Sequence, residues 1–311
     1  MSGMAPEPSH RAAGAATNPL GVHALVWVAG WSEQQCRSAV AATARSGFEL
    51  LEVPLLDPAE VDADMTAGVL VEHAVTPTCS LGLTFDTDIS SDDTATVTRG
   101  VDLLLAAVAV AGDIGSRYVG GPIYSAMDKY RRPATAAGRA NAVAALRTVA
   151  AAARTRGVTL GLEPVNRYES NLVNTAEQAL DLIADVGADN VMVHLDSYHM
   201  HIEQADMAGP VRRCAAAGRL GYVHVGESHR GYLGTGSLDL PGLFRALADV
   251  GYPGPIVFES FSSAVVSPAF ASALAVWRDL WTDSDDLVRA AHAYMTAQLD
   301  AARSVARDHI R

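Results

Sequence analysis

Four residues in the second half of the sequence are of the kinds that hold a cation or move a proton: Glu163 in GLEPV, Asp196 in VHLD, His224 in VHVGE and Glu259 in VFES. Each stands at or near the end of a short apolar run. Each follows the last by roughly thirty residues, the length of one strand–helix unit. Singly, they have bland readings. Asp196 could cap a following turn, because Asp accepts well from backbone N–H groups. His224 could be a satisfied core histidine, and Glu163 could pair with Arg167. A carboxylate inside an apolar run is nonetheless unfavourable unless it is paired or metal-bound, and Glu163 and Glu259 both stand in one. Three carboxylates and an imidazole with no thiolate make a hard, oxygen-rich donor set. It suits one divalent Mn2+, Co2+ or Mg2+ better than structural zinc. Two of the four are glutamates on different strands. Such a pair can flank a bound molecule, one removing a proton from one face and the other returning one to the opposite face.

The elements that must carry these groups are legible from the alternation of short apolar runs with helix-like segments. The strand candidates are VHALVWV from Val22, LLEVPLL from Leu50, AVTPTCSLGL from Ala74, RYVGGPIY from Arg117, VTLGLEPV from Val158, NVMVHLD from Asn190, LGYVHVGE from Leu220 and GPIVFES from Gly254. They are short and rich in Val, Leu and Ile, as strands buried on both faces are. The helical segments between them, such as SEQQCRSAVAATARSG and TAEQALDLIADVG, often end in glycine: Gly47, Gly157, Gly187 and Gly251. Glycine tolerates the left-handed cap that stops a helix, and Ser32, Ser91 and Asp239 are placed as N-caps. Eight such units predict a closed parallel sheet, an α/β chain folded as a (β/α)8 TIM barrel whose reacting groups lie at the C-terminal strand ends. SPAFASALAVWRDLW is expected to be the eighth barrel helix, and the segment after it an extra C-terminal helix.

The chain has 311 residues, 49% of them hydrophobic and 19% charged, with a formal net charge of −12. An acidic protein repels nucleic acid phosphates and anionic lipid, so neither partner is expected. No 18-residue apolar run is read as a membrane span. Cys36, Cys79 and Cys214 are far apart, odd in number and form no CxxC. A disulfide framework is therefore not expected, and a reducing cytoplasm fits. Residues 1–20 lack the apolar core of a secretory signal and are read as a mobile tail ahead of one domain over residues 21–311.

Around these residues the sequence resembles a known family. EPVNRYE (Glu163–Glu169), HLDSYHM (His194–Met200), HVGESHRG (His224–Gly231) and VFESFSS (Val257–Ser263), with TCSLGL near Cys79, are similar to motifs of the ketose 3-epimerases. This is the D-tagatose and D-allulose (D-psicose) 3-epimerase group of the xylose-isomerase-like barrels. ESHRGYLGTG and IYSAM most resemble its actinobacterial D-allulose subgroup. The resemblance implies C3 epimerisation of free ketoses through a cis-enediolate, with Glu163 and Glu259 as the acid–base pair. It also implies one divalent ion on Glu163, Asp196, His224 and Glu259. By the same resemblance Glu169, His199 and Arg230 would bond the ketose at O1 to O3, Trp31, Ser80 and Gly121 would line the pocket, and the protein would be a homodimer or homotetramer. His23 and Met127 stand where the tagatose-epimerase pattern has aromatic residues, so substrate preference at the distal end of the sugar stays open.

Three other readings remain. An aldose–ketose isomerase on the same barrel would often use a second metal; His194, His201 and Glu203 lie near Asp196, short of a full ligand set. A phosphorylated-sugar epimerase could use the Gly-rich loop GYLGTGSLD after strand seven, which otherwise reads as a solvated loop. No GxGxxG follows the first strand, and no GK[ST] ending completes a P-loop. A metal-dependent sugar-binding protein without catalysis would have little need to keep both glutamates. Trp277 and Trp281, on the segment after the eighth strand, are candidates for a subunit contact or for packing on the terminal helix.

Overall fold

Apolar strands of three to six residues, largely buried, need helices over both their length and their neighbours, and that requirement is met by closure. The computed structural model of the protein describes residues 18–308. The strands are β1 (Leu20–His23), β2 (Leu50–Pro54), β3 (Thr76–Ser80), β4 (Tyr118–Gly121), β5 (Thr159–Leu162), β6 (Val191–Asp196), β7 (Leu220–Val225) and β8 (Ile256–Phe258). They pair in that order, all parallel, and β8 returns to β1 with Gly21 opposite Val257. The helices are α1 (Glu33–Ser46), α2 (Ala63–Glu72), α3 (Thr94–Asp113), α4 (Ala136–Thr155), α5 (Ala176–Val186), α6 (Ser197–Glu203), α7 (Ala208–Ala216), α8 (Leu240–Asp249), α9 (Pro268–Ala273) and α10 (Ser284–Asp308). The chain is a (β/α)8 barrel with an additional C-terminal helix, as the alternation of runs predicts. Gly47, Gly157, Gly187 and Gly251 all take left-handed φ, between 65° and 88°.

Strand parity divides the core. Residues two apart share a face, so Leu51, Val53, Leu160, Leu162, Val193, Leu195, Val223 and Val225 join the main apolar cluster shared with the helices. Their neighbours point into the barrel. Low in the barrel Leu50, Tyr118, Tyr222 and Val257 make a second, small apolar cluster. One step higher on the same face stand Glu52, His224 and Glu259. Tyr118 and Tyr222 stack with centroids 4.2 Å apart. Gly161 leaves room for them: a Cβ there would lie 1.8 Å from the Tyr118 hydroxyl oxygen.

Several boundaries differ from the sequence reading, each for a local reason. β1 stops at His23 because its Nδ1 accepts from the Leu25 amide and starts a 3-10 turn over Ala24–Val26. Asp93, not Ser91, caps α3, and Ser91 instead accepts from the Asp93 amide. The expected eighth helix is cut to Pro268–Ala273, with Ala275 at φ 54°. The chain turns back there because the Trp281 indole donates to Ser260 Oγ at 2.7 Å and its carbonyl accepts from Ser262 Oγ at 2.7 Å. Against the expectation of no spanning-length apolar segment, α3 is long and apolar enough to cross a membrane. In this fold its Leu104, Ala107, Val108 and Ala111 are buried in the barrel's main cluster. Residues 1–17 of the expected tail lie outside the described residues. Asn18 is packed in place, its side-chain amide donating to the carbonyls of Tyr252 and Gly254. α10 lies along α8 and α1, burying Leu287, Val288, Ala291 and Met295.

Gly161→Ala is expected to destabilise the protein by about 1–3 kcal/mol, the range for forcing volume into a filled core. Urea unfolding of the variant against wild type measures it, and an unchanged midpoint would mean that the barrel floor is looser than described.

Candidate active site

The four residues converge at the C-terminal mouth of the barrel. Asp196 is the last residue of β6 and lies opposite His224 of β7 in register. Glu163 and Glu259 follow β5 and β8 by one residue. All four are buried. His224 Nδ1 lies 3.6 Å from Glu163 Oε1 and 3.4 Å from Glu259 Oε1. Atoms of Asp196, His224 and Glu259 lie within 4.8 Å of one another, as do those of Glu163, Asp196 and His199. His194 makes a similar close group with Glu163 and His224. Asp196 Oδ1 accepts from the Tyr198 amide at 2.7 Å, so the turn-capping reading holds for one oxygen. The other oxygen, Asp196 Oδ2, and His224 Nδ1 are buried and have no hydrogen-bond partner among the described residues. Two such buried polar atoms, in a set of hard donors within 4.8 Å of one another, fit a divalent cation.

The charge balance points the same way. Burial, then the charges of Glu259 and Glu163, push the Asp196 carboxyl well up. Burial raises Glu163 too, against the opposing pull of His224. Burial also works to raise Glu259, but His224 and the Arg230 guanidinium outweigh it and hold that carboxyl below its ordinary range. Burial opposes the charged form of His224, yet Glu52 and Glu259 bring its pKa well above the ordinary value. Arg167 pairs with Glu203 at 2.8 Å and leaves Glu163 to the cluster.

Three residues expected to bind substrate face the same pocket. Arg230 Nη1 donates to Glu259 Oε2 at 2.7 Å, and its guanidinium lies over the rings of Tyr198 and Phe261 at 3.9 and 4.9 Å. Its backbone has φ 55°, fixed by a hydrogen bond from Ser260 Oγ to its carbonyl. His199 Nδ1 accepts from the Asn166 amide at 3.1 Å. The proton of the neutral ring therefore sits on Nε2, which lies 3.8 Å from Glu163, 3.9 Å from Glu169 and 3.7 Å from Asp196. Burial and then Arg230 keep His199 well below its ordinary pKa, hence neutral. Glu169 accepts from the Asn166 side chain at 2.8 Å and lines the pocket.

Ser80 and Gly121 line the pocket as expected. Gly121 has φ 115°, and a Cβ there would meet the Leu81 carbonyl at 2.3 Å. Trp31 does not reach the pocket. Its indole donates to Thr66 Oγ1 at 3.1 Å, and the ring lines a neighbouring hollow that shares Pro54 and Leu56 with the pocket. His23 lies deep, 3.2 Å from Ser80 Oγ and 3.6 Å from Glu52 Oε1. Met127 covers Gly82 on another wall, beyond which Leu25, Leu56, Phe270 and Leu274 make the lining apolar.

Two acidic residues escape the sequence reading. Glu52, fully buried on β2, accepts from His224 Nε2 and from the Tyr222 hydroxyl, both at 2.7 Å. Its signal was a carboxylate within the apolar run LLEVPLL, the same signal that marks Glu163 and Glu259. Glu227 is also buried. It accepts from the amides of Ser228, Gly234 and Leu238 and so collars the GYLGTGSLD loop, which is anchored rather than simply solvated.

Comparison with known proteins places this chain among relatives. The family model described as "Xylose isomerase-like TIM barrel" matches residues 40–298. A ketose 3-epimerase of Arthrobacter globiformis is 46% identical over 286 residues, covering 92% of this chain and 98% of its own. An L-ribulose 3-epimerase of Methylomonas sp. (strain DH-1) is 47% identical over 267 residues, 86% of this chain and 93% of its own. The crystal structure of a D-allulose 3-epimerase from Methylomonas sp. in complex with D-allulose superposes with a TM-score of 0.88 at 44% identity. It covers 91% of this chain and 98% of that one.

Asp196 and Glu163 have pKa values raised above the ordinary 3.8 and 4.5. The folded, metal-free protein thus binds more protons than the unfolded chain above those values, and stability is lost as pH rises through the folded pKa. In chelator-treated protein, Asp196→Asn should gain stability relative to wild type as pH is raised from about 4 to about 7. Urea unfolding at each pH measures the gap, and a gap independent of pH would contradict an uncompensated charge on Asp196.

Proposed function

We propose a two-glutamate mechanism for this chain, which belongs to the xylose isomerase-like TIM-barrel family and, within it, to the ketose 3-epimerases. It is an isomerase that epimerises free ketoses at C3. In our reading the sugars are of the D-allulose/D-fructose, D-tagatose/D-sorbose and L-ribulose/L-xylulose type. The observation that carries the mechanism is the convergence of Glu163 and Glu259 on one pocket, with Arg230 paired to Glu259.

We assign one divalent ion per subunit, Mn2+, Co2+ or Mg2+, to Glu163, Asp196, His224 and Glu259. Such an ion supplies positive charge that polarises the ketose carbonyl and makes the adjacent C–H more acidic. In one direction the Glu259 carboxylate, kept ionised by Arg230, removes the proton from C3. The C–H electron pair becomes the C2=C3 bond of a cis-enediolate, and negative charge moves to O2. Glu163, protonated, delivers its proton to the opposite face of C3, and the carbonyl re-forms at C2. In the reverse direction the two exchange roles. His199 donates from Nε2 to a ketose oxygen as charge develops there, a stabilisation aimed at the transition state. Glu169 and Arg230 hold O1 and O2. Arg230 lies against two aromatic rings and is paired to Glu259, contacts that a planar guanidinium makes and lysine would not replace.

We place this work in the cytoplasm, supported by three cysteines that are all free and buried. For assembly we keep a homodimer or homotetramer. Trp277 is 74% exposed and available to a subunit contact, whereas Trp281 is 4% exposed and committed to the fold.

Glu163→Gln and Glu259→Gln are each expected to slow epimerisation by about 10²–10⁴-fold, the usual worth of a positioned acid or base. The assay is nuclear magnetic resonance of metal-loaded enzyme with D-fructose, D-allulose, D-tagatose or L-ribulose in D2O. Deuterium should enter at C3 with wild type. Aldose product or label confined to C1 would reject the mechanism in favour of isomerisation.

A further inference from the structure

His224 presents its two nitrogens to different surroundings. Nδ1 faces Glu163 and Glu259 and has no hydrogen-bond partner among the described residues. Nε2 is engaged from behind by Glu52 Oε2 at 2.7 Å. An ionised carboxylate only accepts, so this contact puts a proton on Nε2 and leaves Nδ1 as the ring atom turned toward Glu163 and Glu259. Glu52 is itself held. The Tyr222 hydroxyl donates to the same Oε2 at 2.7 Å, and that hydroxyl lies 2.7 Å from Thr78 Oγ1. Glu52 and Tyr222 show no exposed surface, so the side chains have no alternative partner in solvent. Register supports the arrangement: Glu52 pairs with Thr78 on β3 and with His23 on β1, all on the inward face.

We infer that Glu52 is a positioning residue for the metal centre. It fixes the His224 tautomer and ring plane, and its negative charge makes Nδ1 a stronger donor. The inference rests on the reading of His224 as a metal ligand through Nδ1. A partner of this kind behind a ligating histidine typically changes metal affinity by about 10–100-fold. Thr78, Tyr222 and Glu52 thus form a strut running from the barrel floor to a ligand at its mouth.

The test is Mn2+ or Co2+ affinity, measured by chelator competition on wild type, Glu52→Gln and His224→Ala, independently of turnover. Expected are about 10–100-fold weaker binding for Glu52→Gln and a larger loss for His224→Ala. If His224→Ala weakens binding and Glu52→Gln does not, the role of Glu52 is overturned while the ligand assignment stands. If His224→Ala binds as wild type does, the ligand assignment fails and takes this inference with it. Should Glu52→Gln not fold, nitrogen-15 correlation spectra of Mg2+-loaded wild type decide the matter. A proton on His224 Nε2 in a strong hydrogen bond is expected, and one on Nδ1 would overturn the proposal.

Discussion

Negative charge buried at the mouth of the barrel is the constraint on which the rest of the structure depends. Glu52, Glu163, Asp196 and Glu259 all lie there with little or no solvent contact. An unpaired buried carboxylate is penalised by on the order of several kcal/mol. The residues around them act as successive partial answers. Arg230 answers Glu259, His224 lies between Glu52 and the two glutamates, and the Tyr222 hydroxyl supports Glu52. These groups leave Asp196 and Glu163 under-compensated. The architecture therefore stores an affinity for positive charge at the mouth of the barrel.

Beneath that layer the barrel interior is apolar and aromatic, and the switch from one to the other takes a single step of strand period. Leu50 and Glu52 share a face, as do Tyr222 and His224, and as do Val257 and Glu259. Each pair has its apolar member below and its ionisable member above. The stacked Tyr118 and Tyr222 rings seal the floor. They fit because β5 supplies no side chain at Gly161 and β4 none at Gly120. A polar cluster open only at the top is thus a product of two-residue periodicity repeated on neighbouring strands.

That periodicity explains what could be read from sequence. Glu163, Asp196, His224 and Glu259 were legible because an ionisable group interrupts an apolar run at near-regular intervals on four consecutive strands. Glu52 carries the same mark but lies alone, three strands before the series begins, so no series drew attention to it. Trp31 was misplaced because the direction of its ring is set by a tertiary bond to Thr66, not by its spacing from β1. β1 and the eighth helix were drawn too long for a related reason. The His23 side chain and the anchored Trp281 stop them, and neither interaction has a signature in local composition.

The loop after β7 has a consequence of its own. Backbone amides of a glycine-rich turn at this corner of a barrel are a natural seat for an oxyanion. Here the amides of Ser228, Gly234 and Leu238 already converge on the carboxylate of Glu227, an anion that the chain carries within itself. Glu227 does not line the pocket, so its carboxylate serves the loop and not the substrate site. The loop thus carries its own anion, and its shape is set from within by a buried side chain of the same chain.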